Sequence, residues 1–460
     1  MTLTEALAYV AADVQERERR ARLYRYYRCE NDILSLPKKG DGKPDNRLAH
    51  GYVSYIANAY AGYMFGEPVS YAIMGGREEK AAEDEALLDA MTDCYRYNDE
   101  QAENAALGLD CAICGTAVEL LYVDADAVVR FARVDPVGCV GVTDGTLEDN
   151  LTALIRYYDR YDVLTKKTVR TLEVYDAEAV TVWKSEDGAL GSFGEPEIRP
   201  HLFGDVPAVV YRNNLFSRGD AESVLSQIDA YDKMQSDGVN DQDYFTDAYL
   251  ALVGIGELDE GQSQSMKRDR ILLLPDGSDA RWLIKQQSDA TPQNIKERLN
   301  NDIHRFSACP DMSDEKFAGN SSGVALKYKL LQFENVAGIK EREFKRGLQR
   351  RLELLCGLWQ LKGLPAFDWR AVKIEFHRAL PENLLELSQM VGNLSDVLSD
   401  ETKRSLLPLD IDEAEEKRRL EEERGDSMFT PMERRTGFVE EKSEEWRVKS
   451  EDAEQIPDGI

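Results

Sequence analysis

Few residues in this sequence have the types and spacing that redox, metal or acid–base chemistry needs. Cys111 and Cys114 form one Cys-x-x-Cys pair among seven cysteines. That spacing supplies half of a tetrahedral zinc site, but no second pair lies nearby to complete four ligands. Since the pair falls within the apolar stretch 105–121, we predict two small buried residues and no metal site. The four histidines are far apart in the sequence, and we predict an ordinary structural role for each of them: His50, His201, His304 and His377.

The common signature motifs of enzymes are absent. The sequence has no GxxxxGK[ST] phosphate loop, no HExxH and no GxSxG. Asp135 and Asp144 flank Gly138 and Cys139, but aspartates in turns ordinarily accept backbone hydrogen bonds. We therefore predict a protein that is not an enzyme, with no catalytic residues and no cofactor.

Composition limits the class of protein further. The chain has 460 residues, 42% of them hydrophobic, and a formal net charge of -29. A protein that coats nucleic acid would be basic, although an acidic protein can still let DNA slide past without binding it. No apolar run reaches the roughly 18–20 residues that span a bilayer. The first residues resemble no signal peptide, so we expect synthesis and assembly in the cytosol.

The first half of the chain predicts an α+β arrangement. Helical spacing of apolar residues predicts helices up to about residue 33, over 46–64 and over 83–108. Arginines and tyrosines alternate over 17–28; this helix could contact nucleic acid, but the interleaved acids favour a solvated or subunit-contacting face. Val/Thr/Tyr-rich runs separated by turn residues predict an antiparallel sheet. The predicted strands are 69–74, 118–123, 128–134, 151–158, 168–175, 179–184 and 206–211.

Longer helices dominate the second half. Residues 220–254 predict one helix of roughly 35 residues, or about 52 Å. Its segment 232–243 has only Met234 and Val239 as apolar residues. A helix that is polar nearly all round should border water, another subunit or a solvent-filled passage. Short strands are predicted at 270–274 and 281–285.

Thr291-Pro292 then provides a hydroxyl cap and a proline at the first helical position. After a polar loop, apolar residues every three or four positions predict a helix over 324–362, where three glycines make a kink plausible. A strand within 367–380 and helical patches over 381–398 and 412–424 follow. Beyond 425 we predict a mobile acidic segment.

Three stretches of the sequence are distinctive in their residues and in their order along the chain. The first joins Tyr26-Tyr27 and Asn46-Arg47 to AGYMFGEPVSY at 61–71. The second is IDAYDKMQSD at 228–237, and the third is KFAGNSSGVALK at 316–327, followed by Lys340-Glu341. Together they resemble the portal proteins of tailed double-stranded-DNA bacteriophages, in the branch common in phages and prophages of Gram-positive bacteria.

The resemblance implies an α+β portal-type subunit with a wing, a helical stem, a small clip, a long kinked helix and a helical crown. It implies the following assignment: wing 1–218, first stem helix 219–254, clip 255–290, second stem helix 291–309, tunnel loop 310–323, long kinked helix 324–362, wing return strand 363–380, crown 381–425 and mobile acidic tail 426–460. It implies a ring, expected to have twelve subunits, at one capsid vertex of the virion, assembled in the host cytoplasm.

The implied partners are further copies of the chain, double-stranded DNA in the channel, the terminase large subunit, the major capsid and scaffold proteins and a head-completion adaptor, with no membrane. The resemblance also implies two sets of site residues. The tunnel-loop residues are Asp314, Lys316, Phe317, Asn320, Ser321 and Ser322. The stem residues expected to face the channel are Asp232, Gln235, Asp237 and Asn240.

Two other classes of protein remain open on sequence alone. One is an acidic helical scaffold or adaptor of some other assembly, held together by the helix at 324–362. It predicts an elongated dimer or trimer and no ring. The other is a cytosolic enzyme with carboxylates in its α+β half.

Overall fold

A computed structural model describes residues 1–40, 44–73, 81–185, 192–246, 249–253, 279–283, 290–312, 323–378, 384–393 and 418–419. The helices are α1 (Leu3–Ala12), α2 (Val14–Tyr27), α3 (Tyr52–Phe65), α4 (Ala81–Asn98), α5 (Glu100–Cys114), α6 (Leu225–Thr246), α7 (Ala290–Phe306), α8 (Gly323–Leu361) and α9 (Leu384–Asn393). The strands are β1 (Ser70–Ile73), β2 (Thr116–Val123), β3 (Val129–Val134), β4 (Cys139–Thr143), β5 (Leu151–Asp162), β6 (Lys167–Tyr175), β7 (Ala179–Ser185), β8 (Glu197–Pro200), β9 (Ala208–Arg212), β10 (Tyr249–Val253), β11 (Asp279–Leu283) and β12 (Val372–Glu375).

The α+β prediction is confirmed, but the strands form several sheets instead of one. Antiparallel β3-β2-β9 is one sheet and β4-β5-β6-β7-β8 is another. A 3-10 turn at Pro136–Gly138, capped by the Asp135 carboxylate on the Val137 amide, separates β3 from β4. This turn redirects the chain, so β4 starts the second sheet. The sequence patterns missed β4 and β8, which are short.

Two further antiparallel pairs join segments that are distant in sequence. Strand β1 pairs with β12, so that Ser70 lies opposite Glu375, and both strands were predicted. Strand β10 pairs with β11, so that Tyr249 lies opposite Leu283. Helix α6 therefore ends at Thr246, and the predicted helix over 220–254 is wrong in its last part. The apolar run at 249–253 satisfies its backbone in the strand pair instead.

Two predicted helices are each divided at one residue. The first becomes α1 and α2, which meet at Asp13. The helix predicted over 83–108 becomes α4 and α5, separated by Asp99 with a φ of 51°. A left-handed residue cannot continue a right-handed helix, and aspartate is one of the few residue types that tolerate it. The predicted helix at 46–64 begins only at Tyr52.

Helix α8 is the central element of the core. It spans 39 residues, close to the predicted 324–362, and its buried stripe contributes to the two largest hydrophobic clusters. A Cβ atom added at Gly347 would lie 2.2 Å from the ring of Tyr211 on β9. Glycine there lets α8 approach the three-stranded sheet closely. The chain divides into two compact units, Met1–Leu380 and Pro381–Ile460; helix α9 belongs to the second.

Candidate functional site

The predicted tunnel loop connects α7 to α8. The structure describes its first residues, Pro310 to Met312, and continues from Gly323. The six loop residues predicted to face DNA lie outside the described residues: Asp314, Lys316, Phe317, Asn320, Ser321 and Ser322. The described structure therefore defines how the loop is anchored at its two ends.

Tyr55 of α3 fixes the beginning of the loop. Its hydroxyl donates to the carbonyl oxygen of Pro310 at 2.9 Å and accepts from the amide of Met312 at 2.9 Å. His304 lies edge-on to this tyrosine, with ring centroids 5.6 Å apart, and its Nδ1 is 3.0 Å from the carbonyl oxygen of Cys309. The chain after α7 is thus held to α3 by both aromatic contacts and hydrogen bonds.

Tyr55→Phe should release this anchor without changing the fold. The variant keeps the ring contact with His304 but removes both hydrogen bonds, at a cost of about 1–3 kcal/mol. Because the Met312 amide loses its acceptor, its native-state hydrogen exchange should accelerate, as measured by mass spectrometry. The matched control is Tyr27→Phe, whose hydroxyl contacts only Asn58 at an exposed position. Unchanged exchange at Met312 in Tyr55→Phe would show that the anchor does not restrain the loop.

The predicted channel face of the first stem helix needs a correction. Asp232 is fully buried, and its carboxylate accepts from the Asn31 side chain at 2.5 Å and the His50 amide at 3.0 Å. Asn240 is also buried, and its amide oxygen accepts from the Asn46 amide at 2.6 Å. Both side chains face the chain's own residues 31–50 and so cannot line a water-filled passage.

The polar residues of α6 instead bind an extended segment, residues 46–50. Asp232, Ser236 and Asn240 follow one another at four-residue spacing, and each accepts from a backbone amide of this segment. Burial raises the pKa of the Asp232 carboxyl, and its bonds to Asn31 and His50 oppose that shift. Local sequence patterns do not indicate this arrangement, because the partner segment lies almost two hundred residues earlier.

Gln235 and Asp237 lie away from that buried face. The side-chain amide of Gln235 donates to the Tyr231 hydroxyl at 2.9 Å. Asp237 has 51% of its side chain exposed and pairs with Lys39 at 3.2 Å. For Gln235 and Asp237 the position on the channel face stays a prediction, whereas for Asp232 and Asn240 it is wrong.

Helix α8 carries buried ion pairs that its sequence pattern does not indicate. Arg351 has no exposed surface, and it donates to Glu119 of β2 at 2.7 and 2.9 Å and to Glu100 of α5 at 3.3 Å. Lys340 pairs with Asp220, five residues before α6, and both are almost fully buried. Burial raises the pKa of the Glu100 and Asp220 carboxyls, while their cations oppose the shift.

A third cation, which follows α8 in the sequence, fixes the N-terminal half of this helix. Arg378, just after β12, donates to Glu334 at 3.2 Å and to Glu341 at 2.6 Å. The helix that follows the loop is therefore bound to β2, to α5, to the start of α6 and to the chain after β12. The position of α8 is therefore fixed, because moving this helix would expose these charges.

The residues considered for metal or redox chemistry occupy structural positions. Cys111 and Cys114 are buried, and burial raises the pKa of the Cys111 thiol and raises that of Cys114 to about 12. Within the described ranges, no three His, Cys, Asp or Glu side chains are grouped closely enough to hold a metal ion. Each histidine has a partner: Asp232 for His50, the Asp176 carbonyl for His201, the Cys309 carbonyl for His304 and Ser70 for His377.

The described helices include none that is long and apolar enough to cross a membrane. Comparison with known proteins gives a consistent family. The chain is 25% identical over 415 residues to the portal protein of Clostridium phage phiCD119, covering 84% of this chain and 88% of the relative. It is 23% identical over 428 residues to the portal protein of Bacillus phage SPP1, covering 87% and 82%. The family model for phage portal proteins of the SPP1 Gp6-like type matches residues 8–428, and the chain therefore belongs to that family.

Proposed function

We propose that this chain is the ring-forming subunit at one vertex of a phage capsid, through which double-stranded DNA enters during packaging and leaves during ejection. The family match over 8–428 carries this proposal. The packing of α6 against α7, directly before a loop with anchored ends, supports it. An unrelated acidic scaffold or adaptor is not favoured, because both relatives are portal proteins and the chain matches them over most of their length.

In this proposal α6 and α7 form the stem, and residues 255–290, which lead into α7, form the clip, as the sequence predicts. The crown, 381–425, contains α9. The ring has twelve subunits and binds the terminase large subunit, the major capsid and scaffold proteins and a head-completion adaptor. The subunit has no catalytic role, and ATP hydrolysis belongs to the terminase. It resides in the virion after assembly in the host cytoplasm.

The negative net charge of the chain is compatible with a channel through which DNA must pass. Lysine and arginine contacts to phosphates are strong and salt-dependent, so a channel lined by them would retain the genome. A net charge of -29 on each copy disfavours such retention. Lys316 would add one basic level, where hydrated contacts screened over about 8–10 Å bind and release phosphates.

Ring formation is the direct test of this function. Light scattering of the purified full chain should give a mass about twelve times the 52.0 kDa of the monomer, and negative-stain microscopy should show a central hole. The high mass is expected because a channel requires closed symmetry. A monomer or dimer at micromolar concentration over a range of salt, also after addition of the cognate scaffold protein, would contradict the proposal.

Lys316→Glu tests the loop as a DNA contact. If Lys316 steadies the duplex, reversing its charge should leave ring assembly intact and lower the length of DNA packaged or retained, measured by gel analysis of packaged genomes. Lys38→Glu at an exposed position far along the chain is the control with the same charge change. Normal packaging by Lys316→Glu would remove this residue from DNA handling and leave the ring proposal standing.

A further inference from the structure

One face of α8 is exposed although it carries large apolar side chains. Tyr328 is 74% exposed, Leu331 53% and Ile339 51%. Asn335 and Arg342 are exposed on the same stripe, because positions three or four apart share one side of a helix. The opposite side of α8 is the buried stripe that enters the core. A row of exposed apolar residues on a helix is typical of a surface that another protein covers.

The C-terminal part of this stripe is basic. Arg342 is exposed, and Arg346 has 73% of its side chain exposed beside Glu343. Arg346 also borders a groove of about 580 Å³ between α8 and strand β9. A basic surface is unusual on a chain with a net charge of -29. It predicts an acidic partner.

An acidic helix face with matching spacing lies elsewhere on the same chain. Helix α4 buries Leu87 and Met91 in the core. Glu85, Asp89 and Asp93, four residues apart, are exposed on its other side. They form an acidic stripe along α4, with Asp93 partly neutralised by an exposed arginine three residues later.

The two stripes belong to different helices, which contact different edges of the three-stranded sheet. In the three-stranded sheet the order is β3-β2-β9, so β3 and β9 are the two edges. Helix α4 packs near β3, whereas α8 packs near β9. The acidic stripe of one copy and the basic stripe of the next can therefore meet in a head-to-tail contact. Repetition of such a contact closes a ring when the rotation between copies divides a full turn.

We propose that the exposed stripe of α8, Tyr328 to Arg346, binds the acidic stripe of α4, Glu85 to Asp93, on a second copy of this chain. The inference rests on the proposed ring and names the surfaces that form its subunit contact. DNA is the less suitable occupant, because the apolar side chains of Leu331 and Ile339 have no donor for phosphates. Opposite charges at the contact also offset the repulsion between copies that are strongly acidic.

Charge-swap variants of the full chain test this contact. The first variant, Arg342→Glu with Arg346→Glu, makes both stripes acidic. The second, Glu85→Lys with Asp89→Lys, makes both stripes basic. Each variant alone should lose ring assembly at least tenfold, since like charges then face each other at every contact. An equimolar mixture should form rings again, because alternating subunits pair opposite charges at every contact. Native mass spectrometry would show even-numbered rings with equal amounts of the two variants.

Recovery on mixing also shows that each variant folds. Arg160→Glu with Lys166→Glu, exposed on β5 and in the turn after it, is the control with the same charge change, and it should assemble normally. Normal assembly of Arg342→Glu/Arg346→Glu, with or without a packaging defect, would overturn the contact while the ring proposal stands. Loss of assembly by the control, or no rings on mixing, would equally overturn it. Absence of rings for the unaltered chain would instead contradict the proposed function itself.

Discussion

Arg351→Met is expected to lower the free energy of unfolding by about 3–5 kcal/mol, because it leaves two carboxylates buried without their cation. Arg351 and Glu119 have no exposed side-chain surface, and Glu100 has 2%. The Tyr211 hydroxyl, which donates to Glu119 at 2.9 Å, remains but cannot neutralise the charge. Urea denaturation of variant and unaltered chain at one protein concentration measures the difference.

Two further variants isolate the cause of this loss. Arg199→Met removes an exposed arginine paired with Glu197 at 2.8 Å and should change stability by at most about 0.5 kcal/mol. Adding Glu119→Gln and Glu100→Gln to Arg351→Met should recover part of the loss, because the neutral amides no longer need a cation. A loss below about 1 kcal/mol for Arg351→Met would mean that water reaches the two carboxylates.

Lys340→Met should have the second largest effect. The substitution keeps the aliphatic stem of the side chain but removes the ammonium, which lies over the Tyr60 ring. Asp220 is then left buried with only the Asn213 side chain donating to it at 2.7 Å. We expect a loss of about 3–5 kcal/mol near neutral pH. Lys345→Met, at a partly exposed pair with Glu341, is the control and should cost about 0.5 kcal/mol.

The loss in Lys340→Met should depend on pH in a defined direction. Burial already raises the pKa of Asp220 in the folded state, and removal of Lys340 raises it further. A group with a raised folded pKa supports the fold below its unfolded pKa, near 3.9, and loses that support as pH rises. The stability gap between variant and unaltered chain should therefore widen from about pH 4.5 to about pH 7. A gap that stays constant over this range would show that Asp220 stays ionised in the variant.

Elements with a strong local signal were predicted well from the sequence. Helix α8 differs from the predicted 324–362 by one residue at each end, because its apolar stripe repeats over the whole length. Helix α7 begins at Ala290, one residue before the predicted cap. The β1–β12 pair contains two predicted strands, although nothing local indicated that they pair with each other.

The face of α6 was predicted wrongly for a physical reason. Asp232 and Asn240 are polar, and local pattern rules assign polar residues to solvent. Their burial depends on the exposed amides of residues 46–50, which need acceptors and find them only after the chain has folded back. The same holds for Arg351 and Lys340, whose sequence neighbours give no sign of partners on β2 and before α6. Assignments of the loop residues stay predictions.

The large sequence separation within the buried ion pairs affects the order of folding during synthesis. Glu119 and Arg351 are 232 residues apart, and ribosomes add about 5–20 residues per second. Glu119 therefore waits on the order of 10–50 s for its cation. The five-stranded sheet and α1, which pack together through residues such as Val10 and Ile155, are complete much earlier. The five-stranded sheet thus forms while β2 and α5 still carry carboxylates without their cation.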